Sequence, residues 1–230
     1  MAFSAQGGVN MKKNMKELWR AHKMLMLLGS AIILLQTVVG VLLWDRLPDP
    51  IATHFGFHNE PNGWSSKAFT VFGMPLVLLA LHWICLLAGC SPNHIMMKNY
   101  SAKVKYLLMF IVPASSLLTM VVSYGYALDA EFNVGRIALV FVGVIFAVTG
   151  NYLPKIRRNY TTGIKLPWTM ASEENWNRTH RMAAPVWVLC GLALIVLGLI
   201  GYTGWPMFIV IAAAVLIPTI YSFALHVRMK

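Results

Sequence analysis

The chain has 230 residues, of which 58% are hydrophobic and 12% charged, and its mean hydropathy is +0.63. A soluble domain carries about twice that fraction of charged residues. These values exclude an ordinary soluble domain and predict an integral membrane protein. The net charge of +11 does not indicate nucleic-acid binding, because the basic residues stand in short clusters between apolar runs.

Six apolar runs are long enough to cross a bilayer as helices, which requires about 20 residues each. Helices are required because lipid offers the backbone no hydrogen-bond partners. We therefore predict an all-α membrane protein with six transmembrane helices. The predicted spans are Met24–Trp44, Ala68–Ala88, Tyr106–Leu128, Val134–Leu153, Ala183–Thr203 and Trp205–Leu225.

Basic residues predict the orientation of the chain in the membrane. Of the 19 lysines and arginines, 16 fall in the N-terminal segment, the second and fourth loops and the tail. Such residues are retained on the cytoplasmic side, so both termini are predicted to be cytoplasmic.

The predicted segments are the N-terminal segment 1–23, the first two spans 24–88 with an outward loop 45–67, spans three and four 89–153, a cytoplasmic loop 154–182, and spans five and six with a short tail 183–230.

The outward loop contains two histidines four residues apart, His54 and His58, with Glu60 close by. On a helix this spacing would place both imidazoles on one face, as metal sites require. Gly56 and Pro61 argue against a helix there, so we expect a compact loop over the outer span ends and no cofactor. The three residues remain the metal candidates of a less favoured alternative, a membrane metallohydrolase.

The cytoplasmic loop contains a predicted short helix near residues 172–181. Ser172 is a suitable N-cap, and Glu174 and Arg178 have the spacing of a helical ion pair. We expect this helix to lie against the membrane surface, or against the inner ends of the spans, before the fifth span. Trp176 and His180 share one of its faces, either as a functional pair or as an interfacial anchor. No catalytic sequence motif is visible, so an enzyme is not predicted.

A transporter is the main alternative function. Ionisable side chains inside a span usually mark transport pathways, and His82 is the one that lies deep in a predicted span. A small permease or flippase would need a polar cavity between spans. The side chains available to line it are Gln36, Ser115, Ser116, Thr119 and Ser123.

Residues 150–181, GNYLPKIRRNYTTGIKLPWTMASEENWNRTHR, resemble the signature region of the SdpI family of bacterial membrane proteins. The matching positions are Gly150, Asn151, Leu153, Pro154, Asn159, Gly163, Ile164, Lys165, Pro167, Trp168, Thr169, Trp176, Thr179, His180 and Arg181. The outward loop resembles the module that often precedes this signature. Its matching positions are Leu47, Pro48, Ile51, His54, Phe55, Pro61, Trp64 and Lys67, whereas Ala52, Asn59 and Asn62 depart from the pattern.

The resemblance implies a multi-pass immunity protein of the bacterial cell membrane. Its implied function is protection against a secreted, membrane-active peptide toxin. A second implied role is signalling, by holding a DNA-binding repressor at the membrane. The expected partners are thus the bilayer, a toxin peptide on the outer face and a repressor on the cytoplasmic face. The outward-loop positions are the candidates for peptide contact, and the signature positions are candidates for supporting the fold or docking the repressor.

Overall fold

The computed structural model describes residues 2–56, 59–88, 102–131, 133–160, 162–202 and 204–229. The chain divides into two compact units. Unit one comprises Met1–Lys98 and Ala102–Val134, and unit two comprises Asn99–Ser101 and Gly135–Lys230.

Seven α-helices form most of the described chain. They are α1 (Ala2–Leu42), α2 (Met74–Ala88), α3 (Ala102–Ala127), α4 (Val134–Tyr152), α5 (Pro167–Ala171), α6 (Glu173–Ile200) and α7 (Pro206–Arg228). All of them except the short α5 contribute a segment that is long and apolar enough to cross a membrane. The prediction of an all-α membrane protein with six spans is therefore confirmed. The predicted N-terminal segment 1–23 is helical from Ala2 and continues directly into the first span.

The prediction of a separate short helix near residues 172–181 is wrong. The helix begins where expected, and the Ser172 hydroxyl accepts a hydrogen bond from the Asn175 N–H at 3.2 Å. It then continues as α6 to Ile200, through Pro185. Proline removes the hydrogen bond to the carbonyl four residues earlier, here that of Arg181. Both residues lie on the exposed side of α6, and the helix continues unbroken past them.

The outward loop contains a β-hairpin that the sequence did not predict. Strand β1 (Ile51–Phe55) pairs antiparallel with β2 (Pro61–Ser65), with an irregular register in which Ala52 lies opposite Trp64. A 3-10 turn at Trp44–Arg46 precedes the hairpin and a π-helical turn at Phe69–Gly73 follows it. Ile51 is fully buried in a cluster with Leu47, Val71 and Tyr124, which fixes the hairpin to the helices of unit one.

Buried polar side chains in unit one hydrogen-bond to one another and to the backbone. Gln36 is fully buried, and its Nε2 donates to the Thr70 carbonyl at 3.2 Å. The Ser116 hydroxyl donates to Gln36 Oε1 at 3.4 Å, and the Tyr124 hydroxyl donates to the Gln36 carbonyl at 3.1 Å. Such bonds join membrane helices. These polar side chains therefore contribute to helix packing, which weakens their use as evidence for a transport pathway.

Glycines allow α4 and α6 of unit two to approach closely. A Cβ atom at Gly191 would lie 2.5 Å from both the Ala147 nitrogen and the Gly143 carbonyl oxygen. A Cβ atom at Gly198 would lie 2.9 Å from the Arg136 carbonyl oxygen. Because these contacts are with backbone, no side-chain movement can relieve them. Small residues at such positions are typical of packed membrane helices.

We expect Gly191→Val to destabilise the protein by about 2–3 kcal/mol, because the added atoms overlap the backbone of α4. The free energy of unfolding can be measured by titrating the protein from mild detergent into SDS. Gly204→Val is the matched control, since a Cβ atom there would meet its nearest neighbours at 3.7 and 3.8 Å. Equal stability of the two variants would contradict the close approach of α4 and α6.

Candidate functional site

The signature residues of unit two converge at the N-terminal end of α6. Trp176 and His180 are 0% and 1% exposed, and their rings stack with centroids 4.1 Å apart and planes inclined at 22°. Residues four apart face the same side of a helix, which brings the two rings together. The burial of Trp176 shows that it is not an interfacial anchor. We call this stacked pair the Trp–His clamp.

The Trp–His clamp holds the chain between α4 and α5. Trp176 Nε1 donates to the Ile156 carbonyl at 2.8 Å, and His180 Nε2 accepts the Ile164 N–H at 2.9 Å. The other ring nitrogen, His180 Nδ1, lies 2.8 Å from the Trp176 carbonyl. A nitrogen that accepts a hydrogen bond carries no proton, so His180 is neutral with its proton on Nδ1. Protonation of Nε2 would break the bond to Ile164.

Gly163 is the position at which the held chain passes over the Trp–His clamp. Its φ angle is +114°, a conformation that residues with a Cβ atom rarely adopt. A Cβ atom would lie 2.6 Å from His180 Nε2 and 2.7 Å from Trp176 Cη2. Glycine is therefore required here for both its backbone conformation and its size.

Thr169 shapes the turn between Gly163 and α5. Its fully buried hydroxyl accepts the Leu166 N–H at 2.9 Å and lies 2.8 Å from the Ile164 carbonyl. Pro167 is the first residue of α5, where the missing N–H costs no helical hydrogen bond. This local network aligns the Ile164 N–H with His180.

A second set of bonds joins the signature to α7 through Ser222. Trp168 Nε1 donates to the Ser222 hydroxyl and Asn175 Nδ2 donates to the Ser222 carbonyl, both at 2.9 Å. The Thr179 hydroxyl donates to Asn175 Oδ1 at 3.0 Å. Sequence reasoning missed Asn175 and Ser222. A serine within an apolar span, and an asparagine four residues before Thr179 on the same helix face, were the available signals.

The remaining signature candidates lie around the clamp. Asn159 closes a tight turn, since its Oδ1 accepts the Thr162 N–H at 2.8 Å. The predicted ion pair between Glu174 and Arg178 is confirmed at 2.6 Å. Three candidates are exposed and make no described contact with the Trp–His clamp; they are Asn151, Pro154 and Arg181.

In unit one, Lys67 ties the hairpin to the end of the first span. Its ammonium donates to the Trp44 carbonyl at 3.1 Å and to the Leu47 carbonyl at 2.9 Å. It also lies 4.9 Å from the centroid of the Trp44 ring, and its backbone N–H donates to Asp49 at 3.0 Å. A cation near the carbonyls at the end of a helical turn is favourable, and here it joins both ends of the loop.

The other outward-loop candidates divide into packed and exposed residues. Phe55 packs edge-on against Tyr126 of α3, with ring centroids 4.9 Å apart. Trp64 is 55% exposed, and Pro48 is also exposed. Pro61 is the first residue of β2.

Two of the three metal candidates, His54 and Glu60, lie in the part of the chain that is described. His54 Nδ1 is hydrogen-bonded to Asn62 Oδ1 across the hairpin, and Glu60 is exposed. His58 lies outside the described residues. Within the described ranges, no three His, Cys, Asp or Glu side chains are grouped so that they could hold a metal ion.

Six apolar spans, an anchored hairpin in one unit and a clamped loop in the other define a multi-pass helical membrane protein. Residues 155–222 match the SdpI/YfhL protein family, and residues 31–79 match DUF1648, a domain of unknown function. The chain is 26% identical over 199 residues to Immunity protein SdpI of Bacillus subtilis (strain 168), covering 85% of this chain and 91% of that protein. These matches confirm the resemblance to the SdpI family that the signature residues predict. No solved structure matches it.

We expect His180→Phe to lower stability by about 1–3 kcal/mol, because a stacked ring remains while the half-buried Ile164 N–H loses its acceptor. Gly163→Ala should cost at least as much, since it combines steric overlap with an unfavourable φ angle. The free energy of unfolding in detergent and SDS mixtures measures both effects.

The matched control for these variants is Asn177→Ala, on the exposed side of the same helix turn. Its effect should stay within about 0.5 kcal/mol. If His180→Phe were as stable as this control, the hydrogen bond to Ile164 would not be what holds the loop.

We expect Lys67→Met to loosen the hairpin while leaving the helices folded. Methionine keeps an apolar stem but cannot donate to the Trp44 and Leu47 carbonyls. Hydrogen exchange followed by mass spectrometry should show faster exchange in residues 47–66 and unchanged exchange in α6. Lys16→Met, at an exposed position on α1, is the control. Unchanged exchange in the hairpin would mean that packing of Ile51 alone holds it.

Proposed function

We propose that this membrane protein protects a bacterial cell against a secreted peptide that attacks membranes. The observation that carries the proposal is the match to Immunity protein SdpI, which extends over 91% of that protein. Within this match the chain contains both the anchored hairpin and the Trp–His clamp. The proposed protection is by binding, without an enzymatic step and without a cofactor.

The hairpin is the proposed contact surface for the peptide. It follows the first span and lies on the side that the basic residues predict to be outward. Its anchoring through Lys67 and Ile51 leaves the side chains of Trp64, Asn62 and Glu60 exposed. A rigid hairpin with exposed side chains can bind a peptide with little loss of conformational entropy.

The Trp–His clamp has a different proposed role, because its polar atoms are already engaged. Trp176, His180 and Thr169 hydrogen-bond within unit two, so they support the fold. The exposed signature residue Arg181 is then the proposed centre of a docking surface for a DNA-binding repressor at the cytoplasmic face. Signalling of this kind is the second part of the proposal, with both termini cytoplasmic.

Survival of a sensitive bacterial strain tests the protective function. Cells expressing the full chain are exposed to a dilution series of the purified toxin to which the Bacillus subtilis relative confers immunity. We expect the wild-type chain to raise the lethal toxin concentration by about ten-fold or more. The Arg181→Ala variant should protect equally well, because Arg181 is assigned to the other face.

Trp64→Ala is expected to reduce protection in the same assay. The amount of each variant in the membrane is measured by immunoblot. Trp205→Ala, which removes another exposed tryptophan, is the matched control. Wild-type protein that is inserted in the membrane yet gives no protection would rule out immunity to that toxin. Equal protection by the Trp64→Ala and wild-type chains would remove the hairpin from the contact surface.

A further inference from the structure

The two strands of the hairpin differ in what they pack against. Strand β1 contributes Ile51 to the core of unit one and Phe55 to the contact with Tyr126 of α3. Strand β2 pairs with β1 along one edge, and within the described residues no strand pairs with its other edge. An open edge presents backbone N–H and C=O groups that can pair with another chain. This edge therefore offers hydrogen bonds to an extended peptide.

The side chains of β2 favour such pairing. Trp64, in the middle part of the strand, is 55% exposed, although it lies opposite the buried Ala52. Tryptophan is enriched among residues that dominate binding energy, since it offers a large surface for little loss of entropy.

The charge around the hairpin is opposite to that of the chain as a whole. The chain has a net charge of +11 and eight acidic residues. Five of these eight are exposed at the hairpin end of unit one, either in the loop or just after α3: Asp45, Asp49, Glu60, Asp129 and Glu131. The basic residues in the same segments are Arg46 and Lys67, and the ammonium of Lys67 is held by two carbonyls. A cationic partner fits this surface by charge complementarity.

We propose that the open edge of β2 binds a cationic peptide in extended conformation, which adds a third strand to the hairpin. The backbone of the peptide pairs with β2, an apolar side chain of the peptide packs on Trp64, and its basic side chains face the acidic residues. Strand addition of this kind takes its affinity from main-chain hydrogen bonds and its specificity from side chains. The inference rests on the proposed function and names the chemistry of the bound peptide.

The test uses the full chain in a nonionic detergent and synthetic peptides of about eight residues, a typical strand length. The first probe alternates lysine and valine. The second has the same sequence with N-methyl groups on alternate residues, which removes backbone donors along one edge. The third alternates glutamate and valine. Fluorescently labelled peptides and microscale thermophoresis give the dissociation constants.

We expect the lysine–valine peptide to bind and the N-methylated peptide to bind at least about ten-fold more weakly, since several backbone hydrogen bonds are lost. Binding of the first peptide should weaken as salt is raised, and the glutamate–valine peptide should not bind. Two N-methylated peptides are made, one methylated on each of the two sets of alternate residues. If both bind as tightly as the unmethylated peptide, strand addition is overturned. Equal binding of the acidic peptide, or no binding of any probe, would also overturn the proposal.

Variants locate the binding surface. The triple variant Glu60→Gln, Asp129→Asn, Glu131→Gln and the single variant Trp64→Ala should each weaken binding by about ten-fold. Glu17→Gln, at an exposed acid in the N-terminal half of α1, is the control. If both variants bind the peptide as tightly as the control does, the proposed binding surface is wrong. Survival of cells under toxin is scored separately, so protection without peptide binding would overturn this inference and leave the proposed function standing.

Discussion

The stacked pair of Trp176 and His180 is the interaction on which the order of unit two depends. A loop at the end of a membrane helix must satisfy its backbone groups, because a buried unpaired group costs about 1–3 kcal/mol. The pair supplies one donor, to Ile156, and one acceptor, to Ile164. It also supplies two flat surfaces against which Gly163 packs. One turn of α6 thus holds both ends of the nine-residue segment 156–164.

Unit one and unit two use the same chemistry to join their elements. In each, side chains donate hydrogen bonds to backbone carbonyls of a neighbouring element. Gln36 and Lys67 do this in unit one. Asn175, Trp187 and Arg136 do it in unit two, at the carbonyls of Ser222, Ala214 and Gly198. Apolar surface gives helices in lipid little drive to associate, so these bonds and close glycine contacts carry more of the specificity.

Composition and periodicity were enough to predict the spans, since a membrane helix is set by length and hydropathy. The start of α6 at Ser172 and the ion pair between Glu174 and Arg178 follow from local rules of helix capping and spacing. The continuity of α6 through Pro185 does not follow from those rules, because prolines are tolerated inside membrane helices. The hairpin was missed because its strands have five residues each and contain proline, glycine and a register shift.

The partners of the Trp–His clamp were beyond sequence reasoning for another reason. Ile156 and Ile164 take part through their backbone, so their side chains carry no signal of the role. Ser222 lies 46 residues beyond Trp176, and only the packing of α7 brings it to Asn175. Residues that identify a family can therefore be those that its fold needs most. In this chain Thr169, Trp176, Thr179 and His180 of the signature are buried and hydrogen-bonded within unit two. Our proposal therefore assigns recognition of a partner to the exposed residues and to the hairpin.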